Sequence, residues 1–366
     1  MSTHGPMPKS AWIFPASAVL LFAAVTAAGY GFAPSAAGLV FAAVLLLILF
    51  GTVFAAVHHA EVVAERIGEP FGTLLLTLSV TIIEVALIAT IMLGEQNLVT
   101  TLARDTVFAV VMIVCNGLVG LCILAGGLRY REQDIQVSGS NLYLSVLSVL
   151  ATITLILPNY TLTTPGPVYS AGQLGFVSVV TILLYGVFLY TQTVRHRDYF
   201  VASAAVGAHD GPQASNRTIV LSVVLLLVSL LAVVLLAKKF SQVVDAGAAL
   251  IGAPPAFAGI LVALLILMPE GVAAIAAARR NDLQKSINLA LGSSLATIGL
   301  TIPAVAVAAY ELDKQLVLGL PAQDMVLLAL TLLLSLLTLG SGRTNILFGL
   351  VHLVVFAVFV FLVFVP

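Results

Sequence analysis

The sequence predicts an all-α polytopic membrane protein of about 11 transmembrane helices, built as two inverted five-helix repeats plus one extra N-terminal helix. Composition, the length of the apolar runs, and an acidic anomaly shared by the third and eighth runs lead to that class. Hydrophobic residues make up 61% of the 366 and charged residues only 8%, whereas a soluble domain carries about 25% charged residues. Fifteen Lys and Arg stand against sixteen Asp and Glu. That balance leaves no basic surface for nucleic acid and no like-charge tail. The two cysteines, Cys115 and Cys122, share one apolar run, which suits helix packing and offers neither a disulfide framework nor a zinc site.

Runs long enough to cross a hydrocarbon core fall at 12–32, 35–57, 71–93, 105–127, 140–157, 172–193, 217–237, 256–278, 286–309, 323–340 and 345–364. The first follows Lys9 but is long for a signal-peptide core, so it reads as a retained helix. With the amino terminus inside, the inner segments hold Lys9, Arg66, Arg129, Arg131, Arg195, Arg197, Arg217, Arg279, Arg280, Lys285 and Arg343. The outer ones hold only Arg104, Lys238, Lys239 and Lys314. The excess inside predicts a cytoplasmic N-terminus and an external C-terminus. The chain then divides into 1–34 with the first helix, 35–194 as the first repeat, 195–216 as a cytoplasmic linker, and 217–366 as the second repeat.

The third run contains LLLTLSVTIIEVALIATIML at 74–93, with Glu84 near its middle. An acidic side chain at that depth costs about 2.5–3.5 kcal/mol on insertion scales, so it is expected to face a protein interior or a watery cavity. The eighth run repeats the oddity, with Glu270 after Pro269 and before Gly271, and Pro254 and Pro255 at the entrance. Proline removes a backbone donor, and interrupted helices in transporters use the freed backbone groups around an ion site. All fifteen basic residues fall in connections or at helix ends, so none is placed to neutralise Glu84 or Glu270. Each carboxylate must therefore bind a proton, bind a cation or share hydrogen bonds. Burial and a second carboxylate raise a carboxyl pKa while a cation lowers it, so proton and cation compete.

Oxygen donors suit hard cations such as Na⁺, K⁺ or Ca²⁺. Helical steps back from Glu84 reach Thr81, Thr77 and Thr73, which share its stripe, while Ser79 lies on another face. Asn116 sits mid-way along the fourth run, and Ser293, Ser294, Thr297 and Thr301 along the ninth. The candidate cation and proton ligands are thus Glu84, Glu270, Asn116, Thr81, Thr77, Ser293 and Ser294, with the two glutamates as the metal ligands. His352, near the start of the last run, reads as a packed or interfacial residue. Superposing helices 2–6 on 7–11 pairs the third helix with the eighth and the fourth with the ninth. The sets start on opposite sides, so the repeats are inverted, an architecture that places a transporter's site near the midplane where the repeats meet.

GEPFGTLLLTLSVTIIEVALIATIML and RDTVFAVVMIVCNGLVGLCILAGGLRYRE resemble the first alpha-repeat of the calcium/cation antiporter superfamily. LMPEGVAAIAAARRNDLQKSINLALGSSLATIGLTIPAVAV resembles the second. AVHHAEVVAERIGEPFGTL and YGVFLYTQTVRHRDYF extend the likeness to the bacterial ChaA-type sodium-potassium/proton and calcium/proton antiporters along nearly the whole chain. The resemblance implies eleven helices in the inner membrane, exchange of a cytoplasmic cation for an incoming proton, Glu84 and Glu270 as the central carboxylates, and no cofactor. Calcium-specific relatives carry Gly-Asn-Ala-Thr-Glu or Gly-Asn-Ala-Ala-Glu at the repeat centres, where this chain has VTIIE at 80–84 and ILMPEG at 266–271. Without those amides the shell is thin for Ca²⁺, which takes about 6–8 oxygens, and monovalent or broad selectivity follows.

His58, His59, Glu61 and Glu65 form a cluster at the cytoplasmic end of the second helix that could sense proton activity, or serve only as a solvated helix end. Asp105, beside Arg104, reads as a helix cap. No HExxH or GxSxG motif occurs, which argues against an intramembrane enzyme. The rival reading is a cation-selective channel without proton coupling. The expected partners are small cations, protons and the lipid bilayer, and both a monomer and a homo-oligomer are compatible with the sequence.

Overall fold

The computed structural model describes residues 7–30, 32–33, 35–68, 71–94, 99–200, 215–254 and 256–365. Pro255 and linker positions 201–214 lie outside the described residues. Eleven described helices are long and apolar enough to cross a membrane. They are α1 Ser10–Ala27, α2 Ala36–Ile67, α3 Phe71–Gly94, α4 Leu102–Tyr130, α5 Val137–Tyr160, α6 Ala171–Arg195, α7 Asn216–Ile251, α8 Ala256–Ala278, α9 Leu283–Glu311, α10 Ala322–Gly340 and α11 Ile346–Phe364. The number agrees with the apolar runs, and this is a nearly all-helical membrane protein.

Local chemistry marks the starts. The hydroxyls of Ser35 and Ser215 accept from the N–H groups of Gly38 and Thr218, and Ser170 forms a reciprocal capping box with Gln173. Each cap satisfies a donor that the first helical turn cannot. Just before that box, the Tyr169 phenol, pushed up to about 12 by burial, stays neutral and donates to the Ile153 carbonyl at 2.5 Å.

Two helices outrun their apolar cores. Helix α2 ends at Ile67 rather than 57, and α7 at Ile251 rather than 237. HHAEVVAERI and AKKFSQVVDAGAALI contain no proline, and Gly247 in the second keeps helical backbone, so each helix continues until a glycine at positive φ ends it. Gly68 has φ 76° and Gly252 φ 65°. At the second stop the N–H of Gly252 bonds to Ala249 O and that of Ala253 to Ala248 O, the paired bonds of a Schellman motif. Lys238 and Lys239, expected in a connection, therefore lie inside α7, where Lys239 Nζ donates to Tyr30 O at 2.6 Å.

The expected break at Pro269 is absent, because α8 runs through it as one helix. Proline nonetheless withholds the N–H that would reach Leu265 O four residues back. The helical irregularities lie elsewhere, as π-turns at Ile113–Leu118 in α4 and Thr297–Thr301 in α9. The sequence sets these two helices against each other as counterparts. Each holds an extra residue in one turn, which shifts the hydrogen-bond ladder and commonly marks a functional site. Further π-turns lie at Thr152–Ile156 in α5 and Thr191–Arg195 in α6.

The chain forms two compact units whose boundaries differ from the repeat division expected from the sequence. The first, Met1–Gln96 with Gly207–Ala253, contains α1, α2, α3 and α7. Within it α2 packs on α1, α3 and α7, so the long leading helices of both repeats belong to one body. The second, Asn97–Val206 with Pro254–Pro366, contains the other helices. Here α4 and α9 form the core, with 89% and 72% of their apolar windows buried, and α8 packs on both.

Short strands tie connections of the second unit together. Strands β1 Val99–Thr100 and β3 Gln315–Leu316 pair in parallel, while β2 Glu132–Asp134 and β4 Arg343–Asn345 pair antiparallel. Arg343 Nε lies 3.2 Å from Asp134 Oδ1, with both side chains largely exposed. A solvated pair contributes about 0–1 kcal/mol, so Asp134→Asn is expected to leave the thermal unfolding temperature nearly unchanged.

Candidate cation site

Glu84 is 1% exposed. Among the described residues it is the one Asp, Glu, Lys or Arg that is fully buried, and no Lys or Arg is buried with it. The stripe below it is hydroxyl-rich, as the helical spacing requires: Thr81 is buried, and Thr77 and Thr73 are half-buried. Ser79, on another face, donates to Leu75 O at 2.8 Å, a local back-bond that uses its hydroxyl within the helix.

In the second unit, Glu270 is half-buried on α8. Two close approaches fix its level. A methyl on Gly259 would meet Thr106 N at 2.8 Å, and one on Gly271 would meet Leu118 Cδ1 at 3.7 Å. The glycines are 12 residues apart, as are Thr106 and Leu118, so α8 runs parallel to α4 and sets Glu270 level with the π-turn of α4. On the other side Ser286 Oγ donates to Ala274 O at 2.7 Å. Counting back antiparallel along α9 from that bond brings Ser294 level with about Ile266, one residue past Leu265. Ser294 is fully buried and its Oγ has no hydrogen-bond partner. Ser293 is half-buried, and Thr297 and Thr301 are buried in the π-turn of α9. Ser293, Ser294 and the freed Leu265 carbonyl thus lie about one helical turn from the level of Glu270, with Thr297 and Thr301 further along α9.

Asn116 lies within a set of buried polar side chains. Its Nδ2 donates to Thr331 Oγ1 at 2.8 Å, and its Oδ1 lies 3.2 Å from His352 Nδ1. His352 Nε2 lies 3.0 Å from Thr338 Oγ1, and all four side chains are fully buried. The amide is thereby engaged with α10 and α11. His352, weighed from the sequence as a packing residue, is a member of a four-residue polar chain. Thr331 and Thr338 are not singled out by the sequence, because their helix lacks the glutamate that marks α3 and α8. Isolated polar residues in α10 and α11 were the available signal.

At the end of α2, His59 is buried with Nε2 2.9 Å from Ala11 O, a bond that ties α2 to α1. His58 is half-buried beside it at a ring distance of 5.4 Å, and Glu61 and Glu65 are exposed. His59 thus has a structural task. Asp105 does not cap the helix: the N-cap is Thr101, without a side-chain cap bond, and Asp105 sits in the first turn, where it accepts from Thr101 Oγ1 at 2.7 Å and pairs with Arg104 at 2.7 Å.

Comparison with known proteins identifies the family. The sodium/calcium exchanger protein family matches residues 12–194 and 221–365. The y4hA protein of Sinorhizobium fredii is 46% identical over 319 residues, 87% of each chain. The sodium-potassium/proton antiporter ChaA of Escherichia coli is 38% identical over 330 residues, 88% of this chain and 89% of that one. The solved structure of native YfkE shares the fold at TM-score 0.71 and 18% identity, covering 97% of this chain and 100% of the other. The chain belongs to the sodium/calcium exchanger protein family and is a cation antiporter, not an enzyme.

Proposed function

We propose that this protein exchanges cytoplasmic Na⁺ or K⁺ for external protons across a bacterial inner membrane by alternating access, with Glu84 and Glu270 as the carboxylates for which cation and proton compete. The observation that carries the reading is Glu84: a single fully buried acidic group among the described residues, on an apolar helix whose counterpart in the other repeat carries Glu270. A carboxylate in that position holds either ion and excludes the other, because each lowers the affinity for its competitor. Protons from outside displace the cation, the helices rearrange, and cytoplasmic cation displaces the protons. The membrane potential adds about 2.3 kcal/mol per net charge per 100 mV.

The name of the Escherichia coli relative supports the monovalent assignment, and a 21% identical Bacillus subtilis relative is a Ca²⁺/H⁺ antiporter. The repeat centres lack the amide oxygens a divalent ion would recruit. The excess of basic residues in one set of connections supports a cytoplasmic amino terminus.

Proteoliposomes with an internal pH dye test the reading. Adding Na⁺ or K⁺ outside is expected to move protons even against a proton gradient, with Ca²⁺ giving a weaker response. A channel would instead pass cations down their gradient without driving protons uphill. Cation flux of that uncoupled kind removes the exchange reading.

A further inference from the structure

We infer that His352 is a positioning residue for exchange: through Asn116 it holds the π-turn of α4 against which the Glu270 segment of α8 packs. The inference rests on the exchange reading of Glu270, but its geometry stands within one unit of the structure.

The donors and acceptors run in one direction. Asn116 gives its amide hydrogen to Thr331, so its oxygen can only accept, and the hydrogen between it and His352 belongs to Nδ1. A neutral ring with that tautomer leaves Nε2 to accept from the Thr338 hydroxyl. At the far end, the Thr331 hydroxyl donates to Met112 Sδ at 3.4 Å. The chain therefore passes from Thr338 on α10 to His352 on α11, to Asn116 in the π-turn, back to Thr331 on α10, and ends on α4. Aligned bonds of this kind strengthen one another in a low-dielectric interior, and a missing member leaves its neighbours unsatisfied.

The location gives the chain its consequence. Asn116 lies two residues before Leu118, the residue nearest a methyl placed on Gly271. Gly117 faces the Phe356 ring of α11 at 3.4 Å from such a methyl, and Gly120 faces His352 Cβ at 3.1 Å. The π-turn is thus fitted to α11 on one face and to α8 on another. An irregular turn costs backbone hydrogen-bond geometry, and the four side chains fix which irregular turn is adopted. Nothing in this role requires His352 to touch the cation.

The test uses two imidazole mimics that split the bonds. In His352→Asn the amide nitrogen occupies the place of Nδ1 and retains the bond to Asn116. In His352→Gln the amide oxygen takes the place of Nε2, accepts from the Thr338 hydroxyl and retains only that bond. Together with His352→Leu and Asn116→Leu, these are reconstituted and assayed for cation-driven proton movement. Hydrogen–deuterium exchange is measured over Ile113–Leu118. His352→Leu and His352→Gln are expected to raise the KM for the cation on the order of three- to tenfold, the range that one intramembrane hydrogen bond supports. Faster deuterium uptake in the π-turn is expected alongside. His352→Asn is expected to restore both, and adding Asn116→Leu to His352→Leu to change neither further. A loss of folded protein alone would lower the maximal rate and leave KM in place. The inference is overturned if His352→Leu keeps the parent KM and deuterium uptake, or if His352→Asn behaves like His352→Leu. Absence of exchange in the parent protein, with the π-turn still loosened by His352→Leu, would instead count against the exchange reading and leave the positioning role intact.

Discussion

Glu84→Gln and Glu270→Gln are each expected to abolish cation-driven proton movement, reducing it roughly a hundredfold or more. Glutamine matches glutamate in shape and keeps one oxygen acceptor, but it carries no charge and no titratable proton. Removing one partner of a buried charge pair costs about 3–5 kcal/mol, and here the partner left behind is the transported cation. The same change removes the proton's binding site, so both half-reactions fail together. Stability should respond in the opposite sense. A neutral amide is less costly in the membrane interior than a carboxylate, and Glu84 is the more deeply buried of the two. Glu84→Gln should therefore unfold at the same or a higher temperature, with a smaller change for Glu270→Gln. Proteoliposome assays and thermal unfolding of the same preparations check both signs. A variant that retains exchange loses its place in the mechanism. A variant that loses exchange only because it unfolds earlier gives no support to competition at the carboxylate.

Much of the fold was legible because the bilayer imposes it: backbone groups in hydrocarbon must be satisfied within a helix, so apolar length translates directly into helix number. The ends of α2 and α7 were not legible from hydropathy, since HHAEVVAERI and AKKFSQVVDAGAALI leave the apolar range without leaving the helix. Gly68 and Gly252 were the true stop signals. The significance of Pro269 was misjudged for a related reason. A proline removes one donor, which suggests a break, yet packing on both sides holds α8 continuous. The irregular turns fell instead in α4 and α9, where no proline lies inside the π segments. Site chemistry divided in the same way. Glu84 announces itself, because a carboxylate among apolar residues is anomalous at the level of a single helix. Asn116 was visible as polar, but its partners His352, Thr331 and Thr338 come from helices over 200 residues away in sequence, and only the fold shows that its amide is already engaged.

Glycines give the second large effect, and its sign depends on the helix face. Gly349→Val is expected to lower the unfolding temperature and weaken exchange, whereas Gly186→Ala is expected to raise the unfolding temperature. A glycine inside a helix costs about 1 kcal/mol relative to alanine, so each position needs either a compensating contact or none at all. A methyl on Gly349 would stand 2.9 Å from Leu124 N and 3.0 Å from Gly120 O, and the reciprocal methyl on Gly120 would stand 3.0 Å from Gly349 O. These are backbone atoms on both sides and cannot rotate away. Small residues that allow such approach are a main source of packing between membrane helices. Valine must push α11 off α4 at a cost of about 1–3 kcal/mol. His352, one helical turn further on, is carried away from Asn116 with it. At Gly186 on α6 a methyl meets nothing within 4 Å and the backbone is ordinary helix, so alanine gains the propensity term without a clash. Thermal unfolding of the two variants in the same detergent decides the point, and shifts of equal sign would show that the α4–α11 crossing is looser than its distances imply.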